Sequence, residues 1–121
     1  MNNKKFRIWD NIQKKFEYFD IKDGNLFPSK FSYERVYQFL GILDKNMKEV
    51  YEGDVIKGIY GYLKGIEVIG EVKYCYNLCA YVVDWHREIS NIQLDTLEIL
   101  GNMKENYMYD ECGTLVKNEN E

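Results

Sequence analysis

Residues 66–76 alternate apolar and polar side chains with period two, and nothing else in the chain restricts its fold as much. The even positions read Ile66, Val68, Gly70, Val72, Tyr74 and Tyr76; the odd positions read Glu67, Ile69, Glu71, Lys73 and Cys75. That period belongs to a strand with one face buried and the other wet. From Cys79 the parity switches: Cys79, Tyr81, Val83 and Trp85 alternate with Ala80, Val82, Asp84 and His86. Residues paired across an antiparallel hairpin share a face, so an even core face has to meet an odd one. A two-residue turn at Asn77-Leu78 satisfies this and sets Glu71 opposite Asp84. A four-residue loop at 77–80 also satisfies it and sets Lys73 opposite Asp84. Opposite charges across a ladder contribute a few tenths of a kcal/mol, which favours the second register. Either way Val72 and Val83 face one interior, with Cys79 on the core face and Cys75 on the wet one.

The rest of the chain continues in the same chemistry. Eleven tyrosines, with frequent Val, Ile, Phe and Trp, favour strands, and one proline and nine glycines punctuate them. Phe6–Trp9 and Phe16–Phe19 flank Asp10-Asn11 and read as a first hairpin. Asp23-Gly24 and Asp44–Met47 are turn signals. Val55–Lys57 is a short strand after Glu52-Gly53-Asp54, Tyr60–Gly65 is a loop, and Leu94–Leu100 suits a closing strand. Tyr33–Leu40 fits a strand or one helical turn. Gly70, alone in a strand, marks a bulge or corner. The expected architecture is mainly β: a single compact domain over 1–110, a bent antiparallel sheet or small SH3-like barrel with little helix. A polar tail over 111–121 is expected to fray.

With 45% hydrophobic and 30% charged residues in 121, the chain has the balance of one globular domain rather than of a disordered segment. No apolar run reaches the roughly 18 residues that span a bilayer, and the start has no signal-peptide hydrophobic region, so neither a span nor export is expected. The net charge of −4 repels nucleic acid. The charge is uneven, however. Lys4, Lys5, Arg7, Lys14 and Lys15 stand against Asp10 alone near the start, and residues 98–121 are acidic. These ends either meet each other or a neighbouring subunit, or they are solvated and inert. Cys75, Cys79 and Cys112 are too few for a disulfide framework, and free thiols in a reducing cytoplasm are expected.

Three segments resemble the YopX family of small proteins encoded by bacteriophages and prophages. Lys5-Phe6-Arg7-Ile8-Trp9-Asp10 is similar to that family's opening. Residues 38–55, with Gly41, Asp44-Lys45-Asn46-Met47-Lys48-Glu49 and Tyr51-Glu52-Gly53-Asp54, are similar to its central signature. Leu97–Asn102 followed by Glu105-Asn106 is similar to its close. Met47 stands where the family has a turn glycine, Leu40 where it has Thr, and Tyr107 where Pro usually follows. The resemblance implies phage origin, a cytoplasmic setting and a mainly β domain. It implies no reaction and no catalytic residue. Gly41, Asp44, Glu52, Gly53, Asp54, Gly101 and Asn102 are read as turn-building residues.

Few constellations suggest chemistry. Cys75, Cys79, His86 and Cys112 have zinc-type ligands but no zinc-type spacing, and the parity puts Cys75 and Cys79 on opposite faces, so no metal or other cofactor is expected. His86 is the one histidine; a small hydrolase built on it is a minor alternative to a non-enzyme. Glu49, Glu52 and Asp54 lack the ligand spacing of a calcium loop. The aromatic content points instead to binding. The leading expectation is a non-catalytic module that binds protein, most simply a homo-oligomer, through sheet edges and exposed aromatics among Trp9, Trp85 and the tyrosines. The alternative is a nucleic-acid binder using Lys4, Lys5, Arg7 and Trp9 with exposed tyrosines.

Overall fold

The computed structural model describes residues 5–20 and 36–118. Its strands are β1 (Lys5–Asp10), β2 (Lys15–Asp20), β3 (Val36–Leu43), β4 (Glu49–Tyr51), β5 (Asp54–Tyr60), β6 (Ile66–Cys75), β7 (Ala80–Val83), β8 (Arg87–Glu88), β9 (Glu98–Asn102), β10 (Tyr107–Tyr109) and β11 (Leu115–Lys117). Two short 3-10 turns, Ile89–Asn91 and Leu94–Thr96, are the helical elements among the described residues. The protein is therefore mainly β, as its composition implies. The chain divides into two compact units, Met1–Phe39 and Leu40–Glu121.

In the first unit β1 is the middle strand. It pairs antiparallel with β2, Phe6 opposite Phe19 and Trp9 opposite Phe16, and on its other side with the start of β3, Arg7 opposite Tyr37. The paired rings meet directly: Phe6 and Phe19 stack at 5.7 Å, and Phe16 receives Trp9 edge-on at 5.0 Å. Such contacts add to area burial and set the register. The expected hairpin about Asp10-Asn11 is present. Its loop closes because Asp10 Oδ1 accepts the N–H groups of Ile12 and Gln13, and Lys14 takes φ 57°. Asp23-Gly24 and residues 33–35 lie outside the described residues.

The second unit is built on the sheet β8-β7-β6-β5-β9. Val72 pairs with Val83, and both are fully buried in a cluster with Val50, Ile56, Val68, Ile89, Ile92 and Leu97. Burying each such side chain contributes about 1.5–3 kcal/mol. Cys75 pairs with Ala80, so the register is that of the Asn77-Leu78 turn and not the expected 77–80 loop. The clash that argued against it does not arise. Asp84 leaves the ladder at φ 58° and binds Arg87, while Glu71 turns to Tyr109. Cys79 is exposed in the turn at φ 53°, not on the core face, and Trp85 is likewise outside.

Three further expectations are corrected. Leu94–Thr96 is a 3-10 turn, and the closing strand begins only at Glu98. The Thr96 hydroxyl takes the place of a strand partner: it accepts the Ile59 N–H at 2.9 Å and donates to the Gln93 carbonyl at 2.6 Å. Gly70 pairs regularly with Ile56, and the bulge falls at Leu100 in β9, where the register shifts. Gly70 serves a close approach instead, since a Cβ there would lie 3.1 Å from the Asp84 nitrogen. Residues 111–118, assigned by sequence to a polar tail, carry a tight turn and β11, which pairs with β10; residues 119–121 lie outside the described residues.

A groove beside Trp85 and the turns that frame it

Among the described residues, four Asx residues build turns by one device: the side-chain oxygen accepts backbone N–H groups two to four residues on, the mimicry of a backbone turn that Asp and Asn perform best. Asp10 does so in the first unit. In the second, Asp44 Oδ1 accepts from Asn46 and Lys48, Asn102 Oδ1 from Lys104 and Glu105, and Asp110 Oδ1 from Cys112 and Thr114, all at 2.8–3.0 Å. Met47, in the place of a turn glycine, sits at φ 66°.

The segments quoted from the sequence converge on β9. Asp44 Oδ2 accepts the Ile99 N–H at 3.0 Å, and Lys45 N–H reaches the Leu97 carbonyl at 2.7 Å. Burial alone would lift the Asp44 pKa, but the N–H groups of Ile99, Lys48 and Asn46, with the Lys48 charge, hold it below the ordinary value. Gly53, at φ 87°, donates to the Val72 carbonyl and accepts from Met103. Asp54 Oδ2 accepts the Tyr51 N–H at 2.8 Å, and Asp54 pairs with Asn102. Glu52, Asp54 and Asn102 are buried, whereas Gly41 is exposed at φ 87°. A Cβ on Gly101 would meet Asn106 Oδ1 at 2.7 Å, and that oxygen accepts the Asn102 N–H. These residues shape turns and tie strands together, and none of them lines either of the two hollows described next.

The groove lies elsewhere, on the outer face of β6. It encloses about 370 Å³. Its floor is Ile69, Glu71 and Lys73, the odd positions of the strand; Trp85 and Asp84 form one wall, Tyr109 and the loop Gly113–Leu115 the other. Trp85 is 66% exposed. It stands at φ 76° directly after Asp84 at φ 58°, two successive left-handed residues without a glycine. Asp tolerates that region and Trp does not, so this turn stores about 1–3 kcal/mol of strain, chiefly at Trp85. The strain is offset by what the turn holds. Lys73 Nζ lies 3.3 Å from the Trp85 ring centroid, and Arg87 Nη1 donates to Asp84 Oδ2 at 2.9 Å. Opposite, the Tyr109 hydroxyl donates to Glu71 Oε1 at 2.7 Å, and Lys73 Nζ is 3.7 Å from the same carboxylate. Burial, then the bond to Glu71 and the charges of Glu71 and Asp84, push the Tyr109 pKa well above its ordinary value. A second, more apolar hollow of about 400 Å³ lies between Tyr62, Leu94, Leu40 and Ile42.

The remaining sequence candidates scatter. Lys4 lies outside the described residues. Lys5 is half-buried with its ammonium 5.6 Å from the Phe39 ring centroid. Arg7 and Trp9 are buried, Arg7 with its guanidinium 4.0 Å from the Phe16 ring centroid, so neither presents a surface contact. His86 is exposed in the turn beside Trp85 and lines neither hollow. Among the described residues no three His, Cys, Asp or Glu side chains gather where they could share a metal ion, and no helix is long and apolar enough to cross a membrane. Sequence reasoning missed Tyr109 and Asp110: the signal was there in Tyr-Asp-Glu-Cys-Gly, an Asx turn closing a hairpin.

The fold thus defines a small all-β protein whose quoted sequence segments build turns and pin strands to one another. The chain belongs to the YopX family: the family described as YopX protein matches residues 5–108. No curated protein matches it.

Proposed function

We propose that the protein is a non-catalytic binding module that acts in the cytoplasm of a bacterial host as a phage or prophage accessory protein, and that it works through contacts with protein, its own copies included. One observation carries this reading. Tyr62, Leu63, Ile66, Ile69 and Trp85 are 63%, 99%, 48%, 50% and 66% exposed, and Ile69 and Trp85 line one groove. Scattered apolar side chains on a surface are ordinary, but Ile69 and a strained, outward-held Trp85 lining one groove fit an interface. The acidic balance favours protein over nucleic acid. The burial of Arg7 and Trp9 takes two N-terminal contacts away from the nucleic-acid alternative.

The test is sedimentation equilibrium across a hundredfold concentration range with wild type and Trp85→Ala. Self-association that weakens at least fivefold in the variant, with an unchanged melting temperature, supports the reading. Wild type that stays monomeric throughout, and binds no phage or host protein through this face, overturns it.

A further inference from the structure

The groove floor continues into an open strand edge. β7 pairs with β6 over Val72–Cys75 and then turns away at Asp84, whose backbone nitrogen stops against Gly70. β5 covers the other side of β6 from Ile66 to Glu71. Among the described residues, no strand pairs with the β7 side of β6 over Ile66–Ile69. An uncovered edge of this kind is a template for a further strand unless charge or proline guards it. This one has Ile66 and Ile69 exposed and a single charge, Glu67, between them.

We propose, on the foundation of the self-association reading above, that a second copy of this chain adds its own β6 edge here, antiparallel, about a two-fold axis at Val68. Charge selects that register. A two-fold antiparallel pair places one residue opposite itself. An axis at Ile69 would set Glu67 against Glu71 of the second copy, and an axis at Glu67 would set two carboxylates face to face; like charges directly opposite destabilise a pair. The axis at Val68 opposes Glu67 to Ile69 and sets no two charges opposite each other within the open stretch. It also completes a row across the outer face. Glu98 of β9 pairs with Lys57 of β5, and Lys57 with Ile69 of β6; Glu67 of the second copy comes next.

That row gives a test with opposite signs. Glu at position 69 faces Lys57 within its own chain, so Ile69→Glu keeps the fold, but it faces Glu67 of the second copy. Ile69→Lys faces that same Glu67 with the opposite charge. Sedimentation equilibrium on the full chain, with melting curves as the fold control, is expected to show the dimer weakened at least tenfold by Ile69→Glu and not weakened by Ile69→Lys. Amide exchange should slow at residues 66–69 as concentration rises. A dimer weakened equally by both variants is a plain apolar contact, and a dimer indifferent to both uses another surface; either overturns this pairing while leaving self-association standing. A monomeric wild type overturns both, and leaves the edge to a strand from a different protein.

Discussion

Asp44 and Ile99, 55 residues apart, are joined by one bond: Asp44 Oδ2 accepts the Ile99 N–H at 3.0 Å while its other oxygen closes the turn below. A single carboxylate thereby shapes a local turn and ties it to a distant strand. Asp44→Ala strands three N–H groups and should cost about 2–4 kcal/mol, since bonds to a charged acceptor are among the stronger ones. Asp44→Asn keeps one acceptor and should lose less. The pH dependence follows from a folded pKa held below the ordinary 3.8. Below its ordinary value the unfolded chain takes the proton first, so the stabilisation present at neutral pH fades as pH falls through that region. Urea denaturation between pH 7 and pH 2.5 should show a shallower acid limb for Asp44→Asn than for wild type.

Met47 occupies a left-handed position with its side chain 74% exposed. The substitution Met47→Gly removes backbone strain and almost no packing. It should stabilise the protein by about 0.5–1 kcal/mol, the usual difference for a non-glycine residue in this region. An unchanged or lowered denaturation midpoint would contradict the turn geometry.

Gly101 lies against Asn106, whose side-chain oxygen receives the Asn102 N–H. Gly101→Ala drives a methyl group into that oxygen and should cost about 1–3 kcal/mol, the range for overpacking. Adding Asn106→Ala to it should recover part of the loss, because the clash is gone although the bond is too. A double-mutant cycle by calorimetry measures that coupling.

Tyr109 ties the β10–β11 hairpin to β6 through Glu71. Its folded pKa lies above the ordinary 10.0, so the unfolded chain loses the phenolic proton first and stability falls as pH rises beyond about 10. Tyr109→Phe should cost about 1 kcal/mol at neutral pH for the lost bond. It should also remove part of the alkaline decline, which denaturation at pH 8 and pH 10.5 would show.

Much of this was legible along the chain. Strict alternation over 66–76 forces a strand, and the parity switch forces Val72 and Val83 to share an interior, because side chains of a strand point alternately to its two faces. Asp10 and Asp44 announce their turns because the closing of the next few N–H groups by one Asx oxygen is a local matter. Other features were decided by distant partners. The 66–86 register turned on whether Asp84 remains in the ladder, and it does not. Thr96 ended a strand that its neighbours favoured because its hydroxyl meets Ile59, 37 residues away. Periodicity put Cys79 inside and basic composition put Arg7 outside. The structure reverses both, because a local pattern records which side of a strand a residue occupies, whereas burial depends on what the rest of the chain brings over that side.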